Sequence, residues 1–303
     1  MISFVALALL AQPNSSFPSV HIAGDAFVAR VEVVAGADGV VNATLLEPAG
    51  FTVGGMPLAP ALNTQGLRVA PGTKLSVTVD LGPALTARGV SGDFQLDWLG
   101  DEAPAQSVRG VVPFVTEDSF LDETKFSAAA LADVHVVLVT NQGTMELEFW
   151  PDVAPNHVRN YLELCRTGFY NQTLFHRVGP GFMIQGGDPK TKELKLRNEW
   201  GTGSGPRKLV EELSSVKKHE RGVLSMASGG PKTNTASSQF FVMHGPNPGL
   251  DGKYTCFGRL VSGFDALDKI ATANGTPLPD RATFRPTEPQ RIEKAILTMV
   301  KKG

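Results

Sequence analysis

Strict alternation of apolar and polar residues over residues 74–81 constrains the fold of the first half of the chain more than any other feature. Odd positions carry Leu or Val, and even positions carry Lys, Ser, Thr or Asp. A period of two residues matches a β-strand that buries one face, and it does not match a helix. Residues 27–33 and 93–99 are further strand-like runs, with glycine-rich or Pro-Gly turns between the runs. Residues 19–115 are therefore predicted to form a small antiparallel β-sandwich domain of unknown role.

The rest of the chain has a different pattern. Residues 116–132 are acidic at first and then rich in alanine, which predicts a linker with one short helix. Residues 155–166 begin with proline and carry apolar residues at helical spacing, and residues 264–273 have the same spacing. Residues 133–303 are therefore predicted to form a second domain, mainly β-sheet with two helices.

Two blocks in this second domain carry the strongest functional signal. Residues 175–188 read Phe-His-Arg-Val-Gly-Pro-Gly-Phe-Met-Ile-Gln-Gly-Gly-Asp. This stretch resembles a signature of the cyclophilins, which are peptidyl-prolyl cis/trans isomerases. Residues 222–227 and 238–241 resemble the other signature of that family. The resemblance implies isomerase activity and an eight-stranded antiparallel β-barrel capped by two helices.

The chemistry of prolyl rotation explains why an arginine belongs in such a motif. Rotation about an X-Pro bond crosses a barrier of about 18–20 kcal/mol, because amide conjugation must be broken. As the bond twists, the proline nitrogen regains a basic lone pair, and a fixed hydrogen-bond donor placed against it lowers the barrier. A guanidinium stays charged and holds its donors in a rigid fork, so Arg177 is the candidate donor. The pyrrolidine ring also needs an apolar socket, which Phe182, Met183 and Phe241 can line.

The resemblance assigns the remaining site residues one by one. Gln185 joins Arg177 as a catalytic residue and would hydrogen-bond the substrate backbone near the rotating carbonyl. Prolyl rotation transfers no proton, so His176 is interpreted as a structural histidine hydrogen-bonded within the barrel. The residues expected to bind substrate are Phe182, Met183, Ala227, Ser228, Gly229, Gln239, Phe241, Leu250 and Tyr254.

Several positions depart from the usual family pattern. Ser228 replaces an asparagine that contributes mainly through its main chain, so this change is expected to be tolerated. Gly249 replaces a tryptophan whose indole N–H binds cyclosporin, so weak cyclosporin binding is expected. Tyr254 replaces a histidine, which predicts an altered substrate preference. Residues 190–205 include extra residues beyond the common form of the family and are predicted to be a surface insertion.

Composition excludes several other classes of function. The chain has 303 residues, 42% of them hydrophobic and 19% charged, which is typical of a globular protein with a sizeable core. A net charge of −2 without basic runs argues against nucleic-acid binding as a main function, and no apolar stretch reaches the ~20 residues that span a bilayer. The six histidines lack metal-ligand spacing, so neither a metal site nor a cofactor is predicted. Cys165 and Cys256 have no CxxC spacing and are expected to be buried free thiols.

The first residues form an apolar run, Met-Ile-Ser-Phe-Val-Ala-Leu-Ala-Leu-Leu-Ala, like the centre of a secretory signal. No basic residue precedes Arg30, however, and the run is short for a signal peptide. Residues 1–18 are therefore a candidate signal segment, which predicts a periplasmic or extracellular protein. The alternatives are a buried N-terminal strand or a mis-called start codon, and the alternative location is the cytoplasm.

Three functions are compatible with these residues. The favoured hypothesis is an isomerase that acts on proline-containing polypeptides and assists their folding. The alternative is a module that binds proline peptides or acts as a chaperone, with incidental isomerase activity. The third interpretation is a structural protein in which the first domain dominates. The physiological client and the oligomeric state cannot be read from the sequence.

Overall fold

The computed structural model describes residues 20–62, 65–99, 106–280 and 282–300. The chain divides into two compact units, Met1–Pro113 and Phe114–Gly303. The candidate signal segment, residues 1–18, lies outside the described residues, so export stays a prediction. No described helix is long and apolar enough to cross a membrane.

The first unit consists of short strands joined by tight turns. A five-stranded sheet and two separate strand pairs account for its described strands. Its strands are β1 (Val20–Ile22), β2 (Val28–Val34), β3 (Val40–Asn42), β4 (Phe51–Val53), β5 (Met56–Pro57), β6 (Gly66–Arg68), β7 (Lys74–Asp80), β8 (Gly92–Trp98) and β9 (Gln106–Val111). The larger sheet has the order β1-β9-β8-β4-β5, and the pairs are β2 with β7 and β3 with β6. The helical segments are α1 (Gly82–Ala87) and two short 3-10 helices, Ala43–Leu46 and Pro48–Gly50.

Strand β7 has the alternation predicted for residues 74–81. Its even-numbered residues are exposed, while Val79 and the following Leu81 are buried in the core of the unit. The prediction of a purely antiparallel sandwich is wrong at one place, because β1 pairs with β9 in parallel. Parallel neighbours need a long connection, and almost the whole unit separates these two strands. Local alternation therefore could not reveal this pairing.

The second unit contains the two predicted helices. Helix α3 begins at Pro155 and ends at Arg166, as the spacing predicts, and α4 ends two residues before its predicted end. The helices are α2 (Ala128–Ala132), α3 (Pro155–Arg166) and α4 (Phe264–Ala271). The strands are β10 (Val134–Thr140), β11 (Gly143–Phe149), β12 (Arg177–Gly179), β13 (Met183–Gly186), β14 (Val223–Met226), β15 (Phe240–Met243), β16 (Cys256–Ser262), β17 (Gly275–Pro277), β18 (Phe284–Pro286) and β19 (Ile292–Met299). Short 3-10 helices are Pro189–Lys192, Leu194–Glu199 and Pro248–Leu250.

The ten strands described in this unit form one antiparallel sheet, in the order β17-β18-β12-β13-β15-β14-β16-β11-β10-β19. The strand order is open, so a closed eight-stranded barrel stays a prediction. Backbone hydrogen bonds nevertheless join residues 172–175, just before β12, to residues 290–292 at the start of β19. Gln172 N donates to Ile292 O (2.7 Å), and Phe175 N donates to Gln290 O (2.8 Å). These bonds connect β19, at one end of the sheet, to the chain that leads into β12.

The apolar core of the second unit lies between this sheet and the helices. Helix α3 contributes Val158, Tyr161 and Leu162, and α4 contributes Leu267 and Ile270, all of them fully buried. These are the residues whose spacing predicted the two helices. Each helix therefore buries its apolar face against the sheet and leaves the opposite sheet surface available for a site.

Residues 116–132, predicted as a linker, belong to the second unit and pack into it. Phe120 and Leu131 are fully buried in its core, and α2 is the predicted short helix. Arg159 on α3 donates hydrogen bonds to Phe120 O (3.0 Å) and Phe126 O (2.8 Å). The segment is thus held to α3 by both apolar burial and hydrogen bonds.

Candidate active site

Strands β12, β13 and β15 bring the candidate catalytic residues together. Arg177 on β12 lies opposite Gln185 on β13, and Gln185 lies opposite Phe241 on β15. Residues directly opposite each other in antiparallel strands project from the same face of the sheet. Arg177, Gln185 and Phe241 therefore share one face, whereas Val178 and Ile184 are buried in the core on the other.

Hydrogen bonds hold the Arg177 guanidinium in three directions. Its Nη1 donates to Gln185 Oε1 (3.0 Å), its Nε donates to Thr283 Oγ1 (3.0 Å), and its Nη2 donates to Asp280 Oδ2 (2.8 Å). The Arg177 side chain is 34% exposed, so the cation is fixed in position and still accessible. A preoriented cation of this kind needs little reorganisation when it meets developing charge or a new lone pair.

Gln185 and Gln239 extend this chain of hydrogen bonds. Gln185 Nε2 donates to Gln239 Oε1 (3.0 Å), which leaves Gln239 Nε2 to donate to Gly201 O (2.9 Å) and Gly203 O (2.7 Å). Gln239 is a predicted substrate-binding residue, and its amide group also ties residues 201 and 203 to the site. Gln239 thereby orients Gln185, the residue that in turn contacts Arg177.

The apolar candidates form a cluster that is separate from the core of the second unit. Met183 and Phe241 are buried in this cluster, where they are 1% and 6% exposed. All six apolar or aromatic candidates from the sequence belong to it, so they are not ordinary residues of the main core. The buried members are Met183, Val223, Phe241, Met243 and Cys256, and the partly buried ones are Trp150, Phe182, Ala227, Leu250 and Tyr254. We call this cluster the apolar pocket, because it contains the residues that the resemblance predicts to line the socket for the proline ring.

Phe241 is supported on two sides by other rings. The His219 ring stacks on it with 5.9 Å between centroids, and Tyr254 meets it edge-on at the same distance. Asp251 Oδ1 and Ser225 Oγ lie 3.1 Å from the two ring nitrogens of His219. Burial lowers the pKa of His219, and the neighbouring Asp251 carboxylate opposes that effect. The Phe241 ring is therefore held in place within the apolar pocket by the rings of His219 and Tyr254.

A polar cavity of about 270 Å³ lies next to Gln185 and Gln239. The candidates Ala227, Ser228 and Gly229 all line it, and their contact with an extended substrate stays a prediction. The other lining residues are Gly201, Thr202, Gly203, Ser204, Lys208, Thr235 and Ser237. The cavity and the apolar pocket share Ala227 and thus adjoin each other.

Two ionisable groups near Arg177 have strongly shifted pKa values. Burial lowers the pKa of His176 from 6.5 to about 4, against the opposing charge of Asp188, so His176 is neutral near neutral pH. Burial raises the pKa of Asp280, but hydrogen bonds from Thr283, Arg177 and Ala282 outweigh it and lower the value to about 2. Arg177 therefore faces a carboxylate at Asp280 and no second cation at His176.

Sequence reasoning missed Asp280 and Thr283. Both lie about a hundred residues after Arg177 in the chain, in the turn between β17 and β18, and hydrogen-bond to it. Turn residues such as Pro279 and Asp280 predict a change of chain direction and carry no signal for a distant arginine. Only the pairing of β18 with β12 brings them to the site.

Metal and thiol chemistry receive no support from the described residues. No group of three or more His, Cys, Asp or Glu side chains that could hold a metal ion occurs among them. Cys165 and Cys256 are buried free thiols, as predicted. Burial raises the pKa of Cys256 to about 12, which keeps this thiol of the apolar pocket protonated.

Comparison with known protein families covers this part of the chain. The family model described as cyclophilin type peptidyl-prolyl cis-trans isomerase/CLD matches residues 135–296, more than half of the chain. The chain belongs to the cyclophilin family. The cyclophilin match begins on β10 and ends within β19, so it contains every candidate catalytic and substrate-binding residue.

Curated cyclophilins and solved structures resemble the same region. Peptidyl-prolyl cis-trans isomerase-like 3 of Homo sapiens is 38% identical over 159 residues, which cover 52% of this chain and 92% of that protein. Peptidyl-prolyl cis-trans isomerase-like 2 of Cryptococcus neoformans is 42% identical over 158 residues, but the match spans only 27% of that protein. A crystal structure of a cyclophilin type isomerase from Cryptosporidium parvum has 31% identity and a TM-score of 0.49, covering 55% of this chain and 98% of that one.

Proposed function

We propose that the second unit accelerates cis/trans isomerisation of X-Pro bonds in proline-containing polypeptides and thereby assists their folding. One observation carries this proposal. A guanidinium that is fixed by three hydrogen bonds, and is still partly exposed, lies beside an apolar pocket separate from the main core. Membership of the cyclophilin family supports the same activity.

The apolar pocket suits the proline ring of the substrate. Phe241 and Met183 offer a buried apolar wall, and the more exposed Phe182, Leu250 and Tyr254 can enclose a ring from the sides. Burying the ring holds one side of the X-Pro bond while the acyl side rotates. Because the rigid wall is already formed, little of the binding free energy is lost in ordering it.

Arg177 supplies the interaction that strengthens as the bond twists. In the planar ground state the proline nitrogen is conjugated and is a poor acceptor, whereas in the twisted state its lone pair accepts a hydrogen bond from the guanidinium. An interaction that is stronger in the transition state than in the ground state raises kcat. No proton is transferred in this mechanism, so the neutral, buried His176 has no acid or base role.

The residues that precede proline would extend along residues 227–229 and the polar cavity. Residues 227–229 and Gln185 offer polar groups to the extended backbone of a substrate, and the polar cavity has room for a substrate side chain. Gln185 would hydrogen-bond the substrate near the rotating carbonyl while its own side chain is oriented by Gln239.

Catalysis can be distinguished from simple binding with two variants of the full chain. A protease-coupled assay on a proline-containing tetrapeptide should give turnover by the wild type and a loss of about a hundredfold or more in kcat/KM for Arg177→Ala. Arg259→Ala is the matched control, because the Arg259 side chain pairs with Glu148 on the neighbouring strand and Arg259 is not one of the candidate site residues. Peptide binding without turnover by the wild type would favour the peptide-binding module, and deletion of residues 133–303 without any phenotype would favour the structural protein.

A further inference from the structure

The turn between β17 and β18 holds Arg177 from the side opposite Gln185. We propose that Asp280, acting with Thr283, is a positioning residue that keeps the Arg177 guanidinium in its catalytic orientation. This inference rests on the proposed isomerase function, and it assigns a role in that function to two residues outside both family signatures.

Asp280 is the centre of a compact hydrogen-bond network. Its Oδ1 accepts from the backbone N–H groups of Ala282 (3.0 Å) and Thr283 (2.9 Å), and its Oδ2 accepts from Arg177 Nη2 (2.8 Å). The Thr283 hydroxyl lies within 2.7 Å of Oδ2 and 2.9 Å of Oδ1. A carboxylate can only accept, so the Thr283 hydroxyl donates its hydrogen to Asp280.

The orientation of that hydroxyl decides its effect on Arg177. Once its hydrogen points to Asp280, its lone pairs are available to accept from Arg177 Nε, 3.0 Å away. Asp280 therefore fixes Arg177 twice, directly through Nη2 and indirectly through Thr283. The Thr283 side chain is fully buried, so water does not compete for this bond.

The donor inventory of Arg177 fits a positioning role. A guanidinium has five N–H groups, and Thr283, Gln185 and Asp280 each accept from a different nitrogen. Among the described partners, one N–H on each terminal nitrogen is thereby left to face substrate. Without the anchors, a long arginine side chain would sample several rotamers, most of them without a donor beside the pocket.

Orientation matters more here than the strength of the ion pair. The Arg177 and Asp280 side chains are 34% and 38% exposed, so solvent screens much of their charge attraction. Replacing the carboxylate with a neutral amide should therefore disturb the orientation of the Arg177 side chain. The free energy of unfolding should change only slightly.

The insertion found in the sequence supports the same turn. Trp200 is only 6% exposed and lies between Arg197 and Arg285, whose guanidinium carbons are 5.2 and 5.9 Å from the ring centre. Arg285 Nη1 donates to Arg197 O (2.9 Å), and Arg197 Nη2 donates to Pro286 O (3.4 Å). Arg197 and Trp200 thus anchor the insertion to β18, while residues 192–195, 198 and 199 are exposed, as predicted for a surface insertion. These contacts support β18, the strand that follows the turn containing Asp280.

Kinetics of Asp280→Asn, measured on the full chain, test the proposal. We expect kcat to fall about three- to tenfold, because one charge-assisted hydrogen bond and the orientation of Thr283 are lost while the apolar pocket is intact. KM should stay within about twofold, since the pocket supplies most of the ground-state binding. Thr283→Val should act in the same direction with nearly unchanged side-chain volume. Glu148→Gln, which breaks the Arg259 ion pair, is the matched control and should leave kcat unchanged.

A double-mutant cycle separates positioning of Arg177 from a general structural effect. In an Arg177→Ala background, Asp280→Asn should have no further effect on kcat, because the group that it orients is gone. An equal fall in kcat in both backgrounds would overturn the inference. Unchanged kcat in both Asp280→Asn and Thr283→Val would overturn it as well, while leaving the proposed isomerase function intact.

An NMR measurement decides the inference independently of activity. The Arg177 Nε–H signal, assigned by its absence in Arg177→Ala, should exchange slowly with solvent in the wild type, because Thr283 accepts from it. Asp280→Asn should speed this exchange at least about tenfold by releasing the Thr283 hydroxyl. Equal exchange rates in the two proteins would contradict the role of Asp280. If the wild type has no turnover, the proposed function fails, and this exchange rate still tests whether Asp280 positions Arg177.

Discussion

The buried histidine beside Arg177 makes the second unit sensitive to acid. His176 is 4% exposed, and burial lowers its pKa from 6.5 to about 4. Between about pH 6.5 and pH 4, His176 is protonated in the unfolded chain and neutral in the folded protein. Stability is therefore complete above about pH 6.5 and decreases as the pH falls toward about 4.

The size of this effect follows from the shift in pKa. One pKa unit corresponds to about 1.4 kcal/mol, so the His176 contribution lowers the free energy of unfolding by about 2 kcal/mol at pH 5 and about 3 kcal/mol at pH 4. A loss of that size is a large fraction of the total stability of most domains. His176→Gln, which keeps a polar side chain but does not titrate, should remove this part of the pH dependence.

Urea denaturation of the wild type and of His176→Gln, followed through amide signals of the second unit, measures this contribution. The two proteins should differ by a nearly constant amount above about pH 7, and the difference should change by about 2 kcal/mol between about pH 7 and pH 5. His21 and His219, whose pKa values are also lowered by burial, are present in both proteins and cancel. Parallel stability curves across this range would refute the burial argument for His176.

Three further predictions concern substrate and inhibitor. Phe241→Leu should raise KM about five- to tenfold in the peptide assay with little change in kcat. The apolar pocket loses contact area that binds the ground state and the transition state equally. A fall in kcat alone would contradict this role of Phe241. Gln185→Ala should lower kcat/KM about tenfold, because it removes one anchor of Arg177 and a substrate hydrogen bond, and wild-type kinetics would show that neither contact matters. Cyclosporin should inhibit the isomerase weakly, because Gly249 provides no indole N–H. Titration with cyclosporin should show tighter inhibition of the Gly249→Trp variant. Nanomolar inhibition of the wild type would contradict the prediction.

Local patterns predicted those parts of the fold that depend on local sequence. The proline and the apolar spacing of residues 155–166 set both ends of α3, and alternation located the strand at residues 74–80. The pocket residues were predicted from a motif, since a single apolar residue on a strand does not indicate which core it joins. The structure places all six apolar candidates in one cluster apart from the main core.

Contacts between distant segments could not be predicted in this way. Phe120 lies in an acidic stretch that is typical of a linker. It is nevertheless fully buried, because it packs among apolar residues of the second unit and Arg159 donates a hydrogen bond to its backbone oxygen. Trp200 lies in a polar, charged insertion and is buried between two arginines from different segments. In both cases the partner is supplied by an element whose position depends on the completed sheet.

Exchange NMR on a proline-containing peptide with the full chain tests the central claim most directly, because it measures cis/trans interconversion without a coupling protease. Uncatalysed exchange takes roughly tens of seconds. Sub-stoichiometric wild-type protein should bring cis and trans signals into exchange on a timescale of seconds or faster, and Arg177→Ala at the same concentration should return the rate to within a few-fold of buffer. A wild-type rate equal to that of buffer, or an Arg177→Ala rate equal to that of the wild type, would contradict the assignment of Arg177 as the catalytic donor.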